Sequence, residues 1–182
     1  RIAWQLTAEV IGRCDALIDC HGGDGNEDLL PYLYSSVTGN PVLDEKIRGL
    51  AESYGIKIIV KDATLPGEAR RAVYCSNTAI TRGIPAITIE SGKLGGTDEE
   101  DIQRVVRGSL NVMKHLDMIA GEPELVFEPV WVEEYTVLRS EHHGLFFPLV
   151  SRGYHVEKGE LIGYVTDFLG NRMQDARAPY DG

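Results

Sequence analysis

The chain has 182 residues, about the length of one domain or of one domain and part of another. Its 18 basic and 28 acidic residues give a net charge of −10, and no Lys/Arg run occurs, which argues against a nucleic-acid surface and, more weakly, against anionic membranes. The 43% hydrophobic content is ordinary for a globular domain; no apolar run approaches the ~20 residues that span a bilayer, and residues 1–10 lack the apolar stretch of a signal peptide.

Ile2, Leu6 and Val10 lie four apart, the spacing of one helix face. Ala16-Leu17-Ile18 then predicts a buried strand running into Asp19-Cys20-His21-Gly22-Gly23, a glycine-rich loop. Asn40-Pro41 reads as an N-cap with Pro at the first helical position, Leu43, Ile47, Leu50, Ala51 and Tyr54 as the buried face, and Gly55 as the stop. Ile56–Val60 is the second predicted strand. Glu68–Arg82 reads as a helix closed by Gly83, and Pro85–Glu90 as a third strand ended by Ser91-Gly92. Thr97 and Glu100 have capping-box spacing, with Ile102, Val105, Val106, Leu110, Met113 and Leu116 as the expected buried stripe of the helix that follows. Strands separated by helices need crossover connections. The expected fold is therefore α/β, a mainly parallel sheet with flanking helices.

The pattern changes near Gly121-Glu122-Pro123. Short strand-like runs follow at Val130–Leu138, Gly144–Val150 and Glu160–Thr166, divided by glycines. The expected division is residues 1–121 as an α/β domain and 122–182 as a small all-β domain. The β domain is expected to be truncated, because Ala178-Pro179-Tyr180-Asp181-Gly182 is a turn with no strand after it. Cys14, Cys20 and Cys75 have no paired spacing and read as buried thiols of a reducing compartment, so the cytoplasm is the expected location.

Ligands of open parallel sheets sit beyond the carboxyl ends of the strands. His21 and Glu90 lie at two such ends. His21 can be a metal ligand, an acid/base or a loop residue; Glu90 can be a base, a helix cap or a salt-bridge partner. Together they fit metal-assisted hydrolysis, with one imidazole on Zn²⁺ and one carboxylate taking a proton from water. Asp19 shares a face with His21 and reads as structural or as its supporting group. Gly92-Lys93 and Gly95-Gly96 lack the spacing of a phosphate loop, and His142-His143 would diverge as neighbours on a strand.

Asp19-Cys20-His21-Gly22-Gly23-Asp24, then Arg82–Gly92, then the amphipathic helix ending near Leu116 resemble the succinylglutamate desuccinylase/aspartoacylase family of zinc-carboxypeptidase-like deacylases. Gly144–Pro148, Val156–Glu160 and Ala178–Gly182 resemble its C-terminal, barrel-sandwich-like β domain. The resemblance implies that His21 is a zinc ligand and Glu90 the general base of an amidohydrolase acting on a small N-acyl amino acid or related amine. It implies one Zn²⁺ per full-length subunit, with the remaining ligands and a substrate-gripping arginine upstream of Arg1. The chain, which starts at Arg1, is accordingly expected to be an internal fragment of a longer enzyme. Homo-oligomerisation is expected from the family's habit alone. Two other readings compete: a zinc carboxypeptidase cutting peptides, and a non-catalytic binding protein on the same scaffold.

Overall fold

A computed structural model describes residues 1–182. The chain divides into two units, 1–133 and 134–182. The first carries helices α1 (Ile2–Glu9), α2 (Pro41–Tyr54), α3 (Cys75–Ile80) and α4 (Glu99–His115) and strands β1 (Leu17–His21), β2 (Tyr32–Ser36), β3 (Ile58–Asp62), β4 (Ala86–Glu90) and β5 (Val130–Val132). The strand order is β1-β4-β2-β3-β5, with every neighbouring pair parallel except β4 and β2. The mainly parallel α/β sheet expected from the sequence is present.

One sheet face carries Leu33, Ile59, Ile87 and Ile89, all at most 1% exposed, and joins Leu43, Ile47, Leu50 and Tyr54 of α2 in one core. The start of α2 is built as its sequence predicts. Asn40 Oδ1 accepts from the N–H groups of Val42 (3.1 Å) and Leu43 (3.3 Å), Pro41 needs no partner for a donor, and Gly55 ends the helix with φ 82°.

Asp44, one turn in, reaches back across that start. Its carboxylate accepts from the Thr38 N–H (2.8 Å), the Thr38 hydroxyl (2.6 Å) and the Gly39 N–H (3.2 Å). Burial raises its pKa, but these three donors outweigh burial and hold it below the ordinary Asp value. The carboxylate's stabilising contribution is therefore complete above the unfolded Asp value and is lost as pH falls through the lower folded one. Asp44→Asn should lower Tm at pH 7, and the gap from wild type should close below about pH 4. Thermal melts across pH check this; a gap that persists undiminished at pH 2 contradicts it.

Four local expectations change. The segment 24–36, where the sequence marks no element, contains strand β2, and it is this strand that runs antiparallel to β4. The predicted helix over Glu68–Arg82 is only a 3₁₀ turn at Ala69–Arg71 followed by α3. Ala72 and Tyr74 are extended, and the Ser76 N–H, which a continuous helix would give to the Ala72 carbonyl, goes to Asp19 Oδ2 (3.3 Å). Asp98, not Thr97, occupies the N-cap position of α4, and its side chain makes no capping hydrogen bond, so the Thr97/Glu100 box is not formed. Its expected stripe does not face the core either: Ile102, Val106, Leu110 and Leu116 are 39–45% exposed. The helix meets α2 through Gly108, Asn111 and Val112 instead, because the Tyr54 ring lies where a side chain on residue 108 would be, 2.2 Å from the Cβ position. Asn111 completes that contact, donating to the Tyr54 and Glu124 carbonyls and accepting from the Glu124 N–H.

The boundary between units also falls later than residue 121. Val130–Val132 pairs in parallel with Ile58–Val60 and so belongs to the first sheet, with Trp131 packed against its core. The second unit is a three-stranded antiparallel sheet, β6 (Leu145–Pro148), β7 (Leu161–Thr166) and β8 (Arg172–Arg177). Phe147 stacks on Tyr164 at 5.3 Å, and the Arg172 guanidinium lies 4.6 Å over the other ring's centroid. The β7–β8 turn is fixed by Asp167, whose Oδ1 accepts from the N–H groups of Leu169 and Asn171. His142 and His143 lie exposed in the irregular stretch before β6, and neither belongs to a metal-binding cluster. No helix in the structure is long and apolar enough to cross a membrane.

Candidate functional site

The face of the first sheet opposite the core carries the polar ends of three strands. Register fixes what sits beside what, since side chains directly across a ladder share a face. His21 on β1 lies across from Glu90 on β4, and Glu90 lies across from Tyr32 on β2. Asp19 and Thr88, two residues back on β1 and β4, and Tyr34, two residues on along the antiparallel β2, form a second row. The two residues singled out from the sequence, 69 positions apart, are thus lateral neighbours on one rim.

The second row supports the first. Asp19 Oδ1 lies 3.1 Å from His21 Nε2, with the Asp19 side chain mostly buried and the imidazole half exposed. Its other oxygen accepts the Ser76 N–H at the start of α3, and Thr88 donates to the Ser76 hydroxyl (2.8 Å). Asp19 is therefore held from two sides. The imidazole is oriented through Nε2, which leaves Nδ1 for a ligand.

Glu90 is half-buried. Burial pushes its carboxyl up; His21 pulls it down, while Glu27, Asp19 and Asp24 push it further up, and the net direction is upward. Tyr32 is also half-buried. Burial, the hydrogen bond with Tyr34 and the neighbouring charges of Glu90 and Glu27 all raise its phenol, so it stays protonated. Sequence reasoning passed over Tyr32 and Tyr34. The alternation Tyr-Leu-Tyr after Pro31 was the available signal, and it is short.

The glycine-rich loops after β1 and β4 brace this rim against each other. The Gly23 N–H donates to the Gly92 carbonyl (3.2 Å), and the Gly95 N–H donates to the Gly23 carbonyl (2.9 Å). A Cβ on Gly23 would lie 2.5 Å from the Glu27 carbonyl oxygen, and Gly92 has φ 135°, so both positions require glycine. Their role is loop-to-loop packing.

Cys20 and Cys75 are exposed rather than buried, and all three thiols are free. Exposed as these residues are, partial desolvation of the thiols, followed by the Asp19 charge, pushes Cys20 and Cys75 up, the opposite of what an activated nucleophile needs.

No set of three or more His, Cys, Asp or Glu side chains is arranged to hold a metal ion. The chain's own residues fit one ligand position of a zinc site, His21, and do not complete the set of three protein ligands that a catalytic zinc needs.

No family model matches the chain. An N-alpha-acetyl-L-2,4-diaminobutyric acid deacetylase from Halomonas elongata is 26% identical over the whole of this chain, which covers 54% of that protein. A succinylglutamate desuccinylase/aspartoacylase structure from Rhodobacter sphaeroides superposes with a TM-score of 0.82 at 23% identity, over all of this chain and 55% of that one. The product-bound ectoine utilization protein from Ruegeria pomeroyi gives 0.85 at 22% identity, with the same coverage. The fold is the one that the sequence resemblance implied, and the chain spans about half the length of the proteins it matches.

Proposed function

We propose that this chain is part of a hydrolytic deacylase of the succinylglutamate desuccinylase/aspartoacylase type, cleaving the amide bond of a small N-acyl amino acid or related amine. The observation that supports it most is the lateral pairing of His21 with Glu90 on one sheet rim, with Asp19 behind the imidazole. The relative from Halomonas elongata, a deacetylase by name, points the same way.

In this reading His21 offers Nδ1 as one metal ligand, and the further ligands come from outside residues 1–182. Zinc, when bound, supplies Lewis acidity toward a carbonyl and a water of pKa ~7. Glu90 accepts the proton of the attacking water and returns it to the leaving nitrogen. Its upward-shifted carboxyl suits a group that must take a proton and then release it. Asp19 keeps the imidazole in one tautomer and orientation throughout.

The test is an assay of N-acetyl and N-succinyl amino acids beside short peptides, with metal per chain measured in the same preparations. Release of free amine from the acyl amino acids in proportion to bound zinc is expected. Cleavage of the peptides alone would replace the reading by a carboxypeptidase. Neither turnover nor metal, in this chain or in an N-terminally extended version, would replace it by a binding protein.

A further inference from the structure

The geometry points to Tyr32 as a substrate-binding residue, its phenol donating to an oxygen of the substrate arm that extends away from His21, and to Tyr34 as the residue that positions it. This rests on the deacylase reading. The row His21, Glu90, Tyr32 runs straight across three adjacent strands. Neighbouring strands are about 4.8 Å apart, so Tyr32 stands one strand beyond Glu90 and two beyond His21. A linear amide whose carbonyl lies on the His21 side and whose nitrogen lies at Glu90 must extend one arm over β2. Tyr32 is the side chain that the register places there.

Its hydroxyl is prepared for a contact. The Tyr32 and Tyr34 hydroxyls are 3.2 Å apart, and the rings meet edge to face at 5.1 Å and 85°. Either hydroxyl of the pair can be the donor, so Tyr32, which gives its proton to Tyr34 in the free site, can turn it to a substrate oxygen while Tyr34 donates to Tyr32 in its place. Burial first, then the bond to Tyr34 and the neighbouring carboxylates, keep that phenol neutral, and a neutral donor meets a carbonyl or carboxylate oxygen without the desolvation cost of a buried cation. The edge-to-face contact with Tyr34 restricts the orientation of the ring.

The experiment is a double-mutant cycle on the active protein with the best N-acyl amino acid as substrate. Tyr32→Phe should lower kcat/KM about 10–100-fold, mostly through KM, with zinc content and Tm unchanged. Tyr34→Phe should lower it several-fold in the wild-type background and not at all in the Tyr32→Phe background. Unchanged kcat/KM in Tyr32→Phe, or independent and additive losses, would overturn the inference while leaving the deacylase reading in place. So would losses that track Tm, since the pair would then serve packing alone. A wild-type protein that hydrolyses no N-acyl amino acid overturns both.

Discussion

Glu90→Gln should reduce kcat several hundred-fold or more while leaving metal content and fold intact. The amide has the shape of the carboxylate and sits at the same strand end, but it cannot accept a proton from water. Positioned acid–base groups contribute about 10²–10⁴ in rate, and in the proposed reaction one group serves both proton transfers. Stability should move the other way. The Glu90 carboxyl is pushed up by burial and by Glu27, Asp19 and Asp24, which outweigh the pull of His21, so its charged form is disfavoured in the folded state. A carboxyl with a raised folded pKa destabilises the fold increasingly as pH rises through that pKa. The variant should therefore have a Tm at neutral pH equal to or above wild type, with the difference disappearing in acid. Steady-state kinetics, metal analysis and melts at two pH values check all three parts. Near-normal turnover rejects Glu90 as the base.

What the sequence revealed depended on whether the deciding interaction was local. Asn40, Pro41 and Gly55 act through bonds to residues within one helical turn, and they delimit α2 as read. The apolar runs at 17–18 and 86–89 mark strands because their length and bounding glycines are local too. The errors lie where a distant partner decides. Asp19 takes the Ser76 N–H and starts α3 late. The Tyr54 ring requires glycine at 108 and so turns the most apolar stripe of α4 away from the core. Strand β5 was assigned to the β domain because nothing in Val130–Val132 signals its partner, Ile58–Val60, some 70 residues earlier. The site divides in the same way. That His21 and Glu90 sit at strand ends was legible. That β4 lies between β1 and β2, which makes a row of His21, Glu90 and Tyr32, depends on sheet order, and a strand missed in the segment 24–36 hides a third of that row.

Asp19→Asn should weaken zinc binding about 10–100-fold without abolishing it, whereas His21→Ala should remove the ligand outright. The Asp19 carboxylate contacts His21 Nε2 with one oxygen and the Ser76 N–H with the other, so it ties the imidazole to the start of α3. Asparagine can keep the bond to Ser76 through its carbonyl oxygen, which preserves the fold. It then presents its NH₂, a donor only, to the imidazole, and the ring loses both its electrostatic hold and the tautomer that carries the proton on Nε2. Lost turnover should return when zinc is raised to saturation, a recovery that a damaged fold would not show. The thiols give a readout that needs neither metal nor activity. Asp19 contributes, after burial, to the elevated pKa of both Cys20 and Cys75, so removing its charge should speed alkylation of both at fixed pH. Faster alkylation with unchanged zinc affinity would show that the charge was removed and that His21 does not depend on it, and the supporting role of Asp19 would then be rejected.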